Sequence, residues 1–279
     1  MAKNIPKNDI EAFTFASSEV NMVSQIFIKV VELFTGKLIL RNLYNDYLLE
    51  DNSPENFWHD AIKKLSLNVI SHYHSNTPIN KQGRLIIVAN HAFGVIDGII
   101  LCSLISKIRQ DYMMITHKVL RQAEAVKGKI IPIDFVKSQE AVISNINAKK
   151  TAEEYLKKDG VIVIFPSGTI ATRNKLSKNI CADDGEWKQF TSRLAKKTNS
   201  PILPIFFEGE NSQLFHIANK FGLTFKYALM MYELRRKIGS TINIHIGEVI
   251  KSEKIFSIGD LKEITKYIRK KTYSLDPLN

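Results

Sequence analysis

Residues 84–98 read RLIIVANHAFGVIDG, and the rest of the architecture can be worked out from them. The apolar run at 84–89 is uninterrupted, which is typical of a strand buried on both faces of a sheet. Residues 95–109 have the composition of a helix. Gly94 lies between the two and lets the chain fold back in a tight turn. The stretch therefore predicts a strand, a turn and a helix in succession, as α/β proteins have.

The same region is apolar enough to imitate a transmembrane helix. Residues 85–106 reach the length of about 20 residues that crosses a bilayer. Asn90, His91 and Asp97 interrupt the run, and an ionisable residue at the centre of a membrane costs about 3 kcal/mol on insertion scales. We therefore predict a globular segment here rather than a membrane span.

Further strands and helices alternate along the chain. Strands separated by helices favour an α/β fold with a mixed, largely parallel sheet flanked by helices. The apolar runs predict strands at 128–134, 161–165, 201–207 and 241–250. Helices are expected at about 139–158 and 259–273, with another that carries Trp187, Phe190 and Leu194.

Two details of these elements can be tested against the structure. Asp183 or Asp184 is the expected N-cap of the helix that carries Trp187, because Asp is a preferred capping residue. In the strand at 241–250, the alternation places Ile244 on an apolar face and His245 on a polar one.

The first 80 residues predict a helical extension. Apolar side chains recur at helical spacing in three segments, at 20–34, 40–48 and 57–65. We divide the chain into an N-terminal helical region at 1–80 and a main domain at 81–279. The three helices either pack on the main sheet or place one amphipathic face in a membrane interface.

The charge of the chain indicates an anionic partner. The 279 residues carry a net charge of +11, and the first 100 residues hold nine Lys and Arg against ten Asp and Glu, so the excess lies after residue 100. Such a surface attracts anionic lipids, acidic carrier proteins or nucleic acid. The two cysteines exclude a disulfide scaffold and favour a reducing compartment.

The turn at 90–98 carries the best candidate for catalysis. His91 would lie at the carboxyl end of a buried strand, where α/β proteins place ligand chemistry. A neutral imidazole can take a proton from a hydroxyl near pH 7, and a carboxylate such as Asp97 on the other ring nitrogen fixes its tautomer. The competing interpretation is a buried structural histidine beside an aspartate that caps a helix.

A second block, IFPSGTIATR at 164–173, opens from a buried strand into a Pro–Ser–Gly–Thr turn. Such a turn presents backbone N–H groups and hydroxyls to an anion or a developing oxyanion. A third block, PILPIFFEGENSQLF at 201–215, combines a strand with a polar turn. The second block alone is also compatible with a plain strand-to-loop turn, and the third block alone indicates little.

Together, in this order and spacing, the three blocks resemble the phospholipid/glycerol acyltransferase family, over roughly residues 27–250. They resemble most its bacterial hemolysin-like branch, which includes lyso-ornithine-lipid acyltransferases. The resemblance implies an acyltransferase domain at 81–279, with His91 as general base and Asp97 as its orienting acid. It also implies an acceptor-binding block formed by Phe165, Pro166, Ser167, Gly168 and Thr169, with Arg173 as a headgroup contact.

The chain departs from the family pattern in ways that bear on the acceptor. Five residues separate His91 from Asp97, where most members have four, and this spacing is similar to that of the hemolysin-like branch. Ser167 stands where an acidic residue is usual. The block at 128–134 lacks the arginine of many members that use glycerol phosphate. A bulkier lysolipid is therefore the expected acceptor.

The predicted reaction moves an acyl chain from a thioester donor, acyl carrier protein or CoA, to a hydroxyl of a membrane lysolipid. No cofactor, metal or nucleic acid is expected, and the protein would lie peripherally on the cytoplasmic face of the cell membrane. Two alternatives remain. One is a lipid esterase with Ser167 as nucleophile, although the chain has no G-x-S-x-G motif. The other is a non-enzymatic basic protein that binds membranes or nucleic acid.

Overall fold

The computed structural model describes residues 21–35, 37–50, 54–75, 79–117, 126–134, 138–173 and 181–278. Its centre is a seven-stranded sheet with the order β1-β7-β6-β2-β5-β3-β4. All neighbouring strands are parallel except β6 and β7, which confirms the predicted mixed, largely parallel sheet. The strands are β1 (Asn68–Tyr73), β2 (Leu85–Ala89), β3 (Tyr112–His117), β4 (Ile130–Ile133), β5 (Val161–Ile164), β6 (Ile202–Phe207) and β7 (Thr241–Ile246).

Helices cover both faces of this sheet. A single 3₁₀ turn, Pro54–Asn56, precedes the third of them. The helices are α1 (Met22–Thr35), α2 (Lys37–Leu49), α3 (Phe57–Lys64), α4 (Val95–Ser106), α5 (Gln139–Lys157), α6 (Phe190–Thr198), α7 (Gln213–Lys220), α8 (Leu223–Ala228), α9 (Met230–Arg236), α10 (Ser252–Ile258) and α11 (Leu261–Tyr273).

Strand β2 lies between β5 and β6 and is buried along its whole length. Leu85, Ile87 and Ala89 point into one hydrophobic core, which the helices α3 and α4 cover. Ile86 and Val88 point into the other core, which α5, α6 and α11 cover. A strand with helices on both faces has no solvent-facing side, so its sequence shows an apolar run instead of an alternation.

Several sequence expectations need correction. Helix α6 begins at Phe190 with Gln189 as its N-cap, so neither Asp183 nor Asp184 caps it. His245 in β7 is 5% exposed, although the alternation placed it on a polar face. Tertiary contacts bury this side chain, since the imidazole of His74 and the carboxylate of Glu208 each contact one of its ring nitrogens.

Strands β1 and β3 were not expected from the sequence. β1, NVISHY, mixes apolar and polar residues because it lies at the edge of the sheet, and β3, YMMITH, is rich in methionine. β1 pairs with β7 in parallel across 173 residues of sequence, from Asn68 opposite Thr241. Because β1 comes from the first 80 residues, the predicted N-terminal region contributes a strand to the sheet of the main domain.

The three N-terminal helices form as the spacing predicts, and two of them reach the main core. Leu40 of α2 and Trp58 of α3 belong to the core that also contains Ile87 of β2. Helix α1 instead packs on α8 and α9. The ring of its Phe27 meets that of Phe225 edge to face, with 5.3 Å between the ring centroids. Within the described residues, no helix combines the length and the apolar character needed to cross a membrane.

The turn between β2 and α4 requires a glycine. Gly94 has a φ of +92°, which L-residues with a side chain rarely adopt. A Cβ atom at this position would also lie 2.7 Å from the terminal methyl of Met230 and 3.0 Å from Ile170. The close approach of these two side chains fixes how α9 and the segment after β5 sit over the turn.

Asn90 joins the ends of two central strands. Its side-chain NH₂ donates to the carbonyl of Phe207 at 3.0 Å, and the N–H of Phe207 donates to its side-chain oxygen at 2.7 Å. Both residues are buried, with exposures of 4% and 0%. The side chain thereby continues the pairing of β2 and β6 one step past the end of β2.

We predict that Asn90→Ala destabilises the protein by about 2–4 kcal/mol, because it leaves the N–H and C=O of Phe207 buried without partners. Urea denaturation followed by circular dichroism measures this difference. Asn68→Ala is the matched control, since Asn68 donates a single exposed hydrogen bond to Thr241, and it should cost less than about 0.5 kcal/mol. Equal stability of the two variants would contradict the role assigned to Asn90.

Candidate active site

His91 and Asp97 form a hydrogen-bonded pair where β2 ends and α4 begins. The Nδ1 atom of His91 lies 2.9 Å from Oδ2 of Asp97. The Asp97 side chain is fully buried, whereas the imidazole of His91 is 18% exposed. A ring nitrogen that faces a buried carboxylate is held as N–H, which leaves Nε2 as the acceptor.

The same carboxylate oxygen also organises the turn. Oδ2 of Asp97 accepts hydrogen bonds from the backbone N–H of Phe93 at 2.9 Å and of Gly94 at 3.0 Å. Asp97 itself lies in the first turn of α4, where a negative charge is favoured by the helix dipole. The five residues between His91 and Asp97 therefore form a turn in which the ring N–H of His91 and two backbone N–H groups converge on one carboxylate oxygen.

The backbone of His91 is held from the opposite side. Its N–H donates to Oδ2 of Asp184 at 3.2 Å, and its carbonyl accepts from the N–H of Ala171 at 2.7 Å. These two bonds tie the turn to the segments that follow β5. His91 is thus held by three hydrogen bonds, one through its ring, one through its backbone N–H and one through its backbone carbonyl.

Asp184 is a buried carboxyl behind the site that sequence reasoning assigned to a helix cap. It accepts from the hydroxyl of Tyr273 at 2.6 Å and from the indole N–H of Trp187 at 3.1 Å. Burial raises the pKa of Asp184 above its ordinary value, and the hydrogen bonds from Tyr273 and Trp187 act in the opposite direction. Its partner Tyr273 comes from α11, so the end of the chain contributes to the support of His91.

The predicted acceptor-binding block lies next to the imidazole. The ring of Phe165 stacks on that of His91 with 4.1 Å between centroids and 19° between planes. Phe165, Pro166, Gly168 and Thr169 line a cavity that His91 also lines.

Ser167 belongs to the turn rather than to the cavity wall. Its side chain is buried, its hydroxyl donates to the carbonyl of Thr169 at 3.0 Å, and it accepts from the N–H of Thr169 at 3.3 Å. A serine nucleophile needs a hydroxyl that a histidine can deprotonate. The hydroxyl of Ser167 instead holds the turn closed, which disfavours the esterase alternative.

Arg173 is engaged with a carboxylate outside the cavity. Its Nε donates to Glu210 at 2.8 Å, and a second guanidinium nitrogen contacts the other carboxylate oxygen of Glu210. This bidentate pair connects the segment after β5 to the turn after β6, at the third sequence block. Lys175, another basic residue near this block, lies outside the described residues.

The cavity has a volume of about 910 Å³, which is at the upper end of the range for small-molecule and cofactor sites. One wall is formed by α5 and the first turn of α6, the other by α8 and α9. The floor is mainly apolar and includes Met114, Ile115, Ile133, Ile164, Phe165 and Ile170.

Sequence reasoning missed the cationic residues of this cavity. Lys149 comes from α5, Lys188 and Arg193 from the region of α6, and Lys226 from α8. Burial lowers the pKa of Lys226 to about 8, and its ammonium donates to the carbonyl of Ile170 at 3.2 Å. Nothing in the local sequence marks these lysines, because 39 Lys and Arg are spread along the chain and only packing selects those that face the cavity.

Comparisons with known proteins identify the family. The sequence model of a protein family described as "Acyltransferase" matches residues 38–278. A lyso-glycine lipid O-acyltransferase from Phocaeicola vulgatus is 26% identical over 182 residues, which are 63% of this chain. This match spans 61% of the relative's length, less than two thirds of it.

A solved structure has a similar fold. The crystal structure of the 1-acyl-sn-glycerophosphate (LPA) acyltransferase PlsC from Thermotoga maritima aligns with a TM-score of 0.51 and 17% sequence identity. The alignment covers 91% of this chain and 97% of that chain. Since the family model extends from α2 to the residues after α11 and includes the histidine–aspartate turn, the chain belongs to the acyltransferase family.

Proposed function

We propose that the chain transfers an acyl group from a thioester donor to the hydroxyl of a lysolipid, with His91 as general base and Asp97 as its orienting partner. The observation that carries this proposal is the His91–Asp97 pair at the wall of a largely apolar cavity. Such a cavity can take an acyl chain, and the imidazole beside it can take a proton.

In the proposed reaction, Nε2 of His91 removes the proton of the acceptor hydroxyl as the oxygen attacks the thioester carbonyl. The carbon–sulfur bond of the tetrahedral intermediate then breaks, and the imidazolium returns the proton to the leaving thiolate. Asp97 stabilises the imidazolium and holds the ring by its contact with Nδ1. No serine or cysteine of the chain is acylated in this scheme.

The donor would be an acyl carrier protein or a CoA thioester, and the acceptor a lipid that already carries one chain. The relative from Phocaeicola vulgatus is named for a lyso-glycine lipid, which supports an aminolipid acceptor. The apolar floor of the cavity supports a substrate that binds through its chains. The assignment to the hemolysin-like branch remains a prediction.

We predict that His91→Ala and Asp97→Asn each lower kcat by about 10²–10⁴-fold, since they remove the base or the carboxylate that orients it. Asp97→Asn keeps an oxygen for the N–H groups of Phe93 and Gly94, so the fold should survive. Acyl transfer to a lysolipid from a radiolabelled donor measures the loss.

His72→Ala is the control for these variants, because His72 is an exposed histidine of the edge strand β1. It should keep the wild-type kcat. Wild-type turnover by folded His91→Ala protein would refute the proposed mechanism.

A second prediction concerns the acceptor. We expect a higher kcat/KM with a lysolipid than with glycerol 3-phosphate, because each CH₂ of a chain buried in the cavity contributes about 0.8 kcal/mol. Arg173 is paired with Glu210 and does not line the cavity, so it is not the headgroup contact that the resemblance implies. Assays with one donor and both acceptors decide the matter, and a preference for glycerol 3-phosphate over every lysolipid would contradict it.

We also propose that the protein attaches peripherally to the cytoplasmic face of the cell membrane through α1. Apart from Lys29, the exposed residues described in this helix are apolar, and the helix packs on α8 and α9. Lys226 and Tyr227 of α8 and Met230 of α9 line the cavity, so a membrane at α1 would lie behind one cavity wall. The exposed apolar residues of α1 include Met22, Val23, Ile26, Val30 and Leu33.

We predict that the double variant Ile26→Asp, Val30→Asp lowers co-sedimentation with anionic vesicles by about tenfold or more, because apolar burial and charge attraction both contribute to interfacial binding. Activity on a detergent-dispersed lysolipid should stay near the wild-type value. Phe256→Asp, an exposed apolar residue of α10, is the control and should sediment like the wild type. Unchanged sedimentation of the double variant would exclude α1 as the attachment site.

A further inference from the structure

The first turn of α6 faces the cavity without a side-chain cap. Gln189 occupies the N-cap position and makes no capping hydrogen bond through its side chain. The first N–H groups of a helix have no partner inside the helix, and they carry the positive end of its dipole. Phe190, Thr191 and Arg193 of this turn line the cavity.

Thr191 supplies a second, independent sign of a missing ligand. The residue is 2% exposed, and its hydroxyl has no hydrogen-bond partner among the residues that the structure describes. A buried hydroxyl without a partner costs about 1–3 kcal/mol. The first turn of α6 therefore leaves both N–H and O–H donors unsatisfied beside a cavity.

Three cationic side chains line the same wall. Lys149 of α5 lies with its ammonium 5.9 Å from the ring centroid of Phe190, and Lys188 and Arg193 flank the start of α6. Within the described part of the chain, Arg193 forms no ion pair. Two acidic residues also line the cavity on this side. Glu153 is paired with Lys197, whose ammonium lies 2.6 Å from its carboxylate, and Asp134 follows β4, where its backbone is hydrogen-bonded to the side chain of Asn145 in α5.

We propose that this wall is an oxyanion subsite, in which the start of α6, Thr191, Lys149, Lys188 and Arg193 bind the carboxylate or phosphate of a substrate. The proposal rests on the proposed acyl transfer, since it assigns one part of the substrates to one part of the same cavity. Helix N-termini combined with Arg and Lys side chains are established anion sites in proteins.

Two sources can supply the oxyanion. One is the headgroup of the acceptor, which is a carboxylate in a lyso-aminolipid and a phosphate in a lysophospholipid. The other is the phosphate of the phosphopantetheine arm that carries the acyl thioester. In either case the anion would bind at the start of α6. The acceptor hydroxyl or the acyl thioester of the same molecule would then reach His91, which lines the same cavity.

The first test measures equilibrium binding of octyl phosphate by calorimetry, below its micellar concentration, and needs no turnover. Thr191→Val and Arg193→Gln should each weaken binding by about tenfold, the effect of one hydrogen bond to a charged group. Thr191→Val should not lower the melting temperature, because the hydroxyl has no partner in the protein to lose.

Two controls accompany this measurement. Lys196→Gln changes the same charge on the same helix, but Lys196 donates to the carbonyl of Gly259 and does not line the cavity. It should bind octyl phosphate like the wild type. Octyl maltoside, which has a chain but no charge, should bind equally to all variants. Unchanged octyl phosphate binding in Thr191→Val and Arg193→Gln, or an equal loss of octyl maltoside binding, would overturn the subsite.

The second test identifies the source by steady-state kinetics. A higher KM for the lysolipid alone in Thr191→Val and Arg193→Gln assigns the subsite to the acceptor headgroup. A higher KM for the thioester alone assigns it to the donor phosphate. Unchanged KM values for both substrates would overturn the proposal. If the wild type shows no acyl transfer while octyl phosphate binding follows the predicted pattern, the proposed function fails and the anion subsite stands.

Discussion

The carboxylate of Asp97 is the contact on which the site depends. One of its oxygens accepts from the imidazole of His91 and from two backbone N–H groups of the turn that connects the two residues. Because the side chain is fully buried, these hydrogen bonds replace water around Oδ2, whereas Oδ1 has no hydrogen-bond partner among the described residues. The same interaction therefore closes the turn, starts α4 and orients the imidazole, and a change in any of the three would disturb the other two.

The sheet fixes the start of this turn at the end of β2. β2 is paired on both sides, and Asn90 extends its connection to β6 by two further hydrogen bonds. The carboxylate of Asp184 accepts a hydrogen bond from the backbone N–H of His91, and it also accepts hydrogen bonds from Trp187 and Tyr273. These hydrogen bonds connect the turn to β6, to the segment after β5 and to α11.

The cavity is formed by other elements than the turn. Its walls come from α5, α6, α8 and α9, which are separated in sequence by the strands β5 and β6. Their apolar residues continue the two cores of the sheet, and their cationic residues, Lys149, Arg193 and Lys226, also line the cavity. The cavity therefore combines an apolar surface with positive charge, and this combination motivates the proposed amphiphilic substrates.

The sequence by itself determined the elements whose physical signal is local. Strands β2, β5 and β6 are buried on both faces, so their uninterrupted apolar runs predicted them. The turn with His91, Gly94 and Asp97 was predicted because its residue types serve a known chemistry and are close in sequence. The acyltransferase family was also predicted, from the order of three motifs, and the family match confirms it.

Only the tertiary structure decided the features that depend on distant residues. Edge strand β1 carries no clear pattern of its own and is defined by its pairing with β7. Asp184, Arg173 and Thr191 are ordinary polar residues in the sequence, and their roles follow from what packs against them. Asp184 is buried beside Tyr273 of the last helix, Arg173 meets Glu210 after β6, and Thr191 lies at a cavity wall. Burial and partner choice result from long-range packing, which local sequence does not encode.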